Sequence, residues 1–213
     1  MKTDDLITML GTNVEPVNRK YVLRTIGTAI AVGTLTAAAA ILLAFGFRTD
    51  LTTTRAFIFL FSKLAFTIVM VVLTAIMLTR LARPGGERRI SIVWVALPFA
   101  AIMLLAAVNL AFAPSAHWER MIVGDQWLEC LLSIPIIAIV PFALIIWAVR
   151  RMAPTDLRRT GALVGLIAGS VSATAYALHC ADDSLPFVAL WYGGTILLCT
   201  LAGTALGPRL LRW

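Results

Sequence analysis

The sequence contains few charged residues. Asp, Glu, Lys and Arg together make up 14% of the 213 residues, hydrophobic residues make up 60%, and the mean hydropathy is +0.91. A typical soluble domain is about 25% charged and about 45–50% apolar. So little charge cannot cover the surface of a water-soluble globule, and so apolar a chain does not stay disordered. The composition therefore excludes both classes and indicates a membrane protein.

Motifs for catalysis and cofactor binding are also missing. No stretch has the spacing of a nucleotide-binding loop, a protein-kinase motif or a paired-cysteine zinc motif. With two histidines and three cysteines, the chain offers no Ser/His/Asp set, and no carboxylate pair stands out for acid–base work. The lack of a Cys-x-x-Cys motif argues against a membrane thiol–disulfide enzyme. We therefore expect no enzyme and no cofactor.

Six long apolar stretches dominate the chain. A transmembrane helix needs about 20 apolar residues, and none of these stretches alternates as a barrel strand does over about ten residues. Because backbone groups in lipid must bond within the protein, each stretch is predicted to be a helix. The predicted spans are 25–47, 56–79, 90–113, 127–149, 161–178 and 185–206. The expected fold is an all-α membrane protein, a six-helix transmembrane bundle.

The basic residues predict the orientation of this bundle. Of the 18 Lys and Arg residues, 14 lie at the termini and in the connections on one side, whereas only Arg48, Arg55 and Arg120 lie on the other. Connections rich in Lys and Arg stay in the cytoplasm, so both termini are expected to be cytoplasmic. The net charge of +7 then reflects topology and contact with membrane lipid. No direct nucleic-acid partner is expected.

The predicted organisation is a cytoplasmic leader at 1–24, the bundle at 25–206 and a short tail at 207–213. In the leader, a threonine that can cap a helix precedes two aspartates and three apolar residues that share one helical face. So short a helix is marginal alone in water, so we expect it to fold on a partner. The alternative is that its apolar residues lie on the membrane surface or pack on the bundle. The residues in question are Thr3, Asp4, Asp5, Leu6, Ile7 and Leu10.

Two cysteines are predicted to lie at the outer membrane face. Cys130 begins the fourth span and Cys180 follows the fifth, and the short link between these spans makes them candidate neighbours. A disulfide is compatible with this placement, and two unrelated buried thiols are the alternative. A metal site is a further candidate. Its ligands would come from His117, Glu129, Cys130, His179, Cys180, Asp182 and Asp183.

Other polar residues near this face have two readings each. His179 would lower the pKa of the Cys180 thiol when protonated, or it is an ordinary interfacial side chain. Lys63, the one charge clearly inside a span, either extends outward to water or forms an internal ion pair. The candidate acids for such a pair are Asp50, Asp125 and Glu129.

Small and polar residues within the spans predict helix packing. Gly161, Gly165 and Gly169 repeat every four residues in the fifth span, a spacing typical of close helix–helix contact. Asn109 in the third span is expected to form a hydrogen bond between helices. Cys199 in the sixth span is expected to be a small core residue.

Several segments together resemble the NrsF family of six-helix inner-membrane anti-sigma factors. The resemblance covers essentially the whole chain, and the order and spacing of its short motifs carry it. These motifs are MKTDDLI at 1–7, KLAF at 63–66, YALHC at 176–180, SLPFV at 184–188, LWYG at 190–193 and GPRLLRW at 207–213.

The resemblance implies negative control of an extracytoplasmic-function sigma factor, held at the bacterial inner membrane until an envelope or stress signal arrives. The family's paired periplasm-side cysteines, which are linked with signal response, correspond to Cys130 and Cys180. The acidic-apolar leader corresponds to residues 4–7. The chain lacks the folded zinc-binding domain of many anti-sigma factors, so the leader, the basic connections or both must contact the sigma factor. The alternative function is a small-molecule or metal transporter, and the oligomeric state, including a homo-oligomer, is left open.

Overall fold

The computed structural model describes residue 3 and residues 19–49, 53–82, 93–152 and 154–212. Within these ranges every regular element is helical. A 3₁₀ turn at Ser115–His117 precedes the short helix Trp118–Val123, and the last helix contains a π-helical turn at Val188–Tyr192. The helices are α1 Arg19–Ala44, α2 Thr54–Leu81, α3 Val93–Phe112, α4 Trp118–Val123, α5 Trp127–Arg150, α6 Leu157–Ala177 and α7 Leu185–Leu210.

The six predicted spans are confirmed as six helices that are long and apolar enough to cross a membrane. The helices run past the predicted bounds at several ends: α1 begins at Arg19 instead of 25, and α7 ends at Leu210 instead of 206. The bounds differ because hydropathy shows only where the apolar side chains end. The backbone hydrogen bonds of the helix continue into the flanking basic residues. At α6 the start is fixed by Asp156, whose carboxylate accepts a hydrogen bond from the Arg159 N–H at 2.9 Å.

Helix α6 occupies the centre of the bundle. It packs against α1, α2, α5 and α7, and it is both the least hydrophobic and the most buried of the six long helices. A helix surrounded by other helices needs no apolar face toward lipid, which accounts for its many small and polar residues. The outer helices instead expose large apolar side chains, among them Leu43, Phe61, Phe112 and Leu201.

Helices α6 and α7 approach each other along two facing stripes of small residues. A Cβ atom added at Gly165 would overlap the carbonyl oxygen of Cys199, and one added at Gly203 would overlap the carbonyl of Gly161. The close packing predicted from the glycine spacing is therefore present. The two stripes are Gly161, Gly165 and Gly169 on α6, and Cys199, Gly203 and Gly207 on α7.

The alternating helix directions give the bundle two chemically different ends. The "basic end" contains the start of α1, the end of α2, the α5–α6 connection and the end of α7. The opposite end, called the "Asp183 end", contains the α1–α2 connection, the α3–α5 connection with α4, and the α6–α7 loop at 178–184. The basic residues described at the basic end are Lys20, Arg24, Arg80, Arg150, Arg151, Arg158, Arg159, Arg209 and Arg212.

Candidate functional site

The α6–α7 loop lies across the Asp183 end and is held by the residues that follow α1. The Arg48 N–H donates to the Leu178 carbonyl oxygen at 3.1 Å, and His179 Nδ1 lies 3.3 Å from the Gly46 carbonyl oxygen. The His179 ring also packs on the Phe45 ring, with centroids 5.1 Å apart. These contacts fasten the loop to α1 and turn the His179 ring toward that helix.

A buried ion cluster occupies the middle of this end. The Arg48 guanidinium binds Asp183 through both nitrogens, at 3.2 Å to Oδ1 and 2.9 Å to Oδ2, and Lys63 Nζ lies 3.4 Å from Asp183 Oδ1. Both cations also donate to the Cys180 carbonyl oxygen, at 3.2 and 3.0 Å. We call Arg48, Lys63, Cys180 and Asp183 the Asp183 cluster. Within the described residues, this cluster places two cations around one carboxylate.

Lys63 is fully buried, so its side chain does not extend outward to water. Its acidic partner is Asp183, and not Asp125 or Glu129 as the sequence led us to expect. Asp50, the third candidate, lies outside the described residues. The partner differs because the α6–α7 loop folds back over the first turns of α2 and places Asp183 beside the ammonium.

Cys130 and Cys180 are both fully buried and belong to one continuous core. Like Cys199, both are free thiols in this structure. Hydrogen bonds join the segments that carry them. Gln126, just before Cys130, accepts from the Ala181 N–H at 3.0 Å and donates its own N–H to Asp182 at 2.7 Å.

The cation beside the Cys180 thiol is Lys63, whose Nζ lies 3.7 Å from Sγ. His179 was one of two sequence-based alternatives for this role, and its ring is turned toward α1. Burial raises the pKa of the Cys180 thiol, and the Lys63 ammonium partly opposes that rise. The thiol is therefore neutral at physiological pH, with a cation already positioned for a thiolate.

The wider metal-ligand set is not assembled. In the part of the chain that the structure describes, no group of three or more His, Cys, Asp and Glu side chains could hold a metal ion. Asp182 accepts backbone N–H groups of Asp125 and Gln126, and Asp183 binds two cations. Both carboxylates of the expected set in this loop therefore bind protein groups instead.

Further contacts at this end escaped the sequence reasoning. Ser184 caps the start of α7 by accepting from the Phe187 N–H at 3.2 Å, and its hydroxyl donates to the Met121 carbonyl of α4. The π-helical turn brings Trp191 to α4, where its indole N–H donates to the Ile122 carbonyl at 2.9 Å. Arg48 could have been noticed, because an arginine is scarce on that side of the chain. Asp183 carried no such signal.

The leader is almost entirely outside the described residues. Thr3 is helical and exposed. The remaining residues expected to contact a partner, which are Asp4, Asp5, Leu6, Ile7 and Leu10, lie outside the described residues.

Comparison with known proteins identifies the family. Residues 10–213 match the family model NrsF, described as negative regulator of sigma F. This chain belongs to the NrsF family. It is 30% identical to the probable anti-sigma-F factor NrsF of Azospira oryzae over 213 residues, which is the full length of both chains. It is 36% identical to the anti-sigma-F factor NrsF of Caulobacter vibrioides over 135 residues, 63% of each chain. No solved structure matches this chain.

Proposed function

We propose that this chain is a membrane-embedded anti-sigma factor. It holds an extracytoplasmic-function sigma factor at the bacterial inner membrane and releases it on envelope, metal or redox stress. The observation that carries the proposal is the family match over residues 10–213, supported by the full-length relative named as a probable anti-sigma-F factor. Both named relatives are regulators, and the buried thiols and ion cluster suit a regulator that responds to its surroundings.

The proposed location rests on the two chemically different ends. Six helices are long and apolar enough to cross a membrane, and the described basic residues gather at one end. By the positive-inside rule that end faces the cytoplasm. The Asp183 end, with Cys130 and Cys180, then faces the periplasm. The leader and the basic connections share the cytoplasmic side, where a sigma factor is found.

The proposed sigma-factor contact is the leader. Leu6, Ile7 and Leu10 would enter an apolar groove on the sigma factor, while Asp4 and Asp5 face its basic residues. A sigma factor binds DNA phosphates, so an acidic segment is a suitable competitor for the same surface. The leader starts on the same side as the basic connections, which are available as a second contact.

Co-purification in mild detergent tests this proposal. The full-length chain should capture a sigma factor in stoichiometric amount, identified by mass spectrometry. Deleting residues 1–10 should abolish capture, and so should the double variant Ile7→Ala with Leu10→Ala, whereas Thr8→Ala serves as the matched control. Full capture by the truncated protein would place the contact in the basic connections. Failure of the parent to capture any sigma factor, together with solute flux in proteoliposomes, would favour the transporter.

The proposed sensor is the pair Cys130 and Cys180. Lys63 Nζ lies beside both the Cys180 thiol and the Asp183 carboxylate. A thiol-reactive oxidant would take two electrons and two protons from Cys130 and Cys180 and leave them joined as a disulfide, whereas a soft metal would displace both protons and bind the two thiolates. Either product would change what the Lys63 ammonium contacts. The contacts that hold the loop to α1 and α2 would then change, and α5 and α6 could transmit the change to the basic end. A shift from 1:99 to 99:1 requires about 5.5 kcal/mol. A disulfide supplies about 2–4 kcal/mol and a thiolate–metal site can supply more.

Serine substitution separates sensing from repression. Expression of a reporter gene that depends on the sigma factor is the measurement. Cys130→Ser and Cys180→Ser should each hold that expression constant with and without stress. The double variant should behave like the single ones, because both thiols belong to one switch. Cys199→Ser is the control, since that buried thiol lies within α7 against the α6 stripe. If both single variants repress and respond to thiol-reactive stress like the parent, the pair only fills the core and the sensor lies elsewhere.

A further inference from the structure

A polar cavity of about 680 Å³ opens at the Asp183 end. Its wall includes the first turn of α2, the end of α3, the 3₁₀ turn with α4, and loop residues 181–184. The volume is within the range of about 300–1,000 Å³ typical of small-molecule sites. The loop that carries Cys180 therefore forms one side of a solvent-open chamber of ligand size.

The carboxylates in this wall are largely occupied. Asp183 binds Arg48 and Lys63. Asp182 accepts the backbone N–H groups of Asp125 and Gln126, at 3.2 and 2.7 Å. The hydrogen bonds and ion pairs of both carboxylates thus go to groups other than the arginines of the opposite wall.

The opposite wall carries cations without acidic partners. Arg55 and Arg120 line the cavity, are exposed, and form no ion pair with any residue that the structure describes. The Arg55 guanidinium lies over the Phe59 ring, 5.7 Å from its centroid, which restricts its orientation. Among the acidic residues of the wall, only Asp125 has no partner for its carboxylate within the described ranges.

Two further donors face the same space. The Asn109 side chain was expected to bond another helix, but it lines the cavity instead and forms no hydrogen bond within the described residues. His117 lies beside it in the wall and is exposed. Two guanidinium groups, a carboxamide and an imidazole together form a donor set for an anion with several oxygen atoms.

We propose that this cavity binds a phosphate group, with Arg55 and Arg120 as its principal ligands. Guanidinium groups bind phosphate oxygens through paired N–H donors. At this end of a membrane protein the group can belong to a free phosphate or to a lipid headgroup. The proposal goes beyond anti-sigma activity and does not depend on it. Phosphate binding can be measured on the purified chain without any sigma factor.

Calorimetric titration of the full-length chain in maltoside micelles, which carry no phosphate, tests the site. One arm uses inorganic phosphate against chloride at equal ionic strength, and the second uses dioctanoyl phosphatidylglycerol against the neutral dioctanoylglycerol. Saturable binding is expected in at least one arm, and the active arm identifies the source. Arg55→Gln and Arg120→Gln should each weaken that binding at least about tenfold, since each removes the charge-assisted hydrogen bonds of one guanidinium group.

Arg158→Gln is the matched control, because it removes an exposed arginine from the basic end. This variant should bind the phosphate compound with the same affinity as the unmodified chain. Arg55→Lys and Arg120→Lys should bind with intermediate affinity, since lysine keeps the positive charge but lacks the paired N–H donors of a guanidinium group. The unfolding temperature without ligand verifies that each variant is folded. Absence of saturable binding in both arms overturns the proposal, and so does equal weakening by Arg158→Gln or unchanged affinity in the two cavity variants.

Discussion

Among single residues, Asp183 has the largest electrostatic role at its end of the bundle. It is the carboxylate that both Arg48 and Lys63 contact, and each cation is almost completely buried. A buried charge that loses its partner is strongly destabilising because it has already been removed from water. The two cations do not depend on each other in this way, since either can be deleted and leave a pair behind.

This asymmetry predicts which of two substitutions is the more destabilising. Asp183→Asn should lower the free energy of unfolding by about 3–5 kcal/mol, because it removes the carboxylate that two buried cations contact. Lys63→Met should cost less, since the paired hydrogen bonds between Arg48 and Asp183 remain. Thermal unfolding in detergent measures both. Asp125→Asn is the control at the same end and should change stability by no more than about 0.5 kcal/mol. A larger loss for Lys63→Met than for Asp183→Asn would contradict the cluster as described.

Sequence reasoning reached Lys63 but not its partner. A lysine inside an apolar span is conspicuous because an unpaired charge there is costly, so an internal pair could be anticipated. The identity of the acid depends on how residues 178–184 fold over α2, which is a tertiary arrangement without a local pattern. The same arrangement turns His179 toward α1 and leaves Lys63 beside Cys180. Sequence spacing alone could not distinguish these outcomes.

At the scale of helices, α6 and α7 approach each other so closely that a Cβ atom added to either glycine stripe would overlap the facing backbone. The α6 stripe was predictable from the spacing of Gly161, Gly165 and Gly169. The α7 stripe has the same spacing at 199, 203 and 207, so the same rule would have located it. The π-helical turn at Val188–Tyr192 was not predictable, because one extra residue in a helical turn leaves no periodic mark in so apolar a segment.

A pair of glycine substitutions tests the closeness of that contact. Gly165→Ala should destabilise the protein by about 1–3 kcal/mol, because its methyl group would overlap the Cys199 carbonyl oxygen and push the helices apart. Gly194→Ala, on α7, is the matched control. A Cβ there meets no atom within 4 Å, and alanine is the better helix former by about 0.8–1.0 kcal/mol. Equal effects of the two changes on the unfolding temperature would show that the stripe is not tightly packed.

For the whole molecule, the separation of charge between the two ends predicts its orientation. Residues at the basic end should lie in the cytoplasm and those at the Asp183 end in the periplasm. The number of the long helices could be predicted because length and hydropathy determine them, whereas the short helix α4 has no such signal. Their arrangement around α6 could not, since hydropathy identifies candidate spans without stating which one is central.

Reporter fusions test the orientation. Alkaline phosphatase, which is active only in the periplasm, should be active when fused after Ser115 and inactive when fused after Trp213. A fluorescent protein that matures only in the cytoplasm should give the opposite pattern and verifies expression of both fusions. Alkaline phosphatase activity in the fusion after Trp213 would mean that the bundle has the opposite orientation, with Cys130 and Cys180 facing the cytoplasm.

The central position of α6 also has a consequence for biosynthesis. A nascent helix enters the bilayer by partitioning from the translocon into lipid, and α6 is the least apolar of the six. Its small and polar residues favour that step weakly on their own. We expect α6 to remain beside the translocon until α7 emerges and covers its glycine stripe, so that the two helices enter lipid as a hairpin. Alkaline phosphatase fused after Ser184, in a chain that ends there and lacks α7, should therefore be less active than the fusion after Ser115.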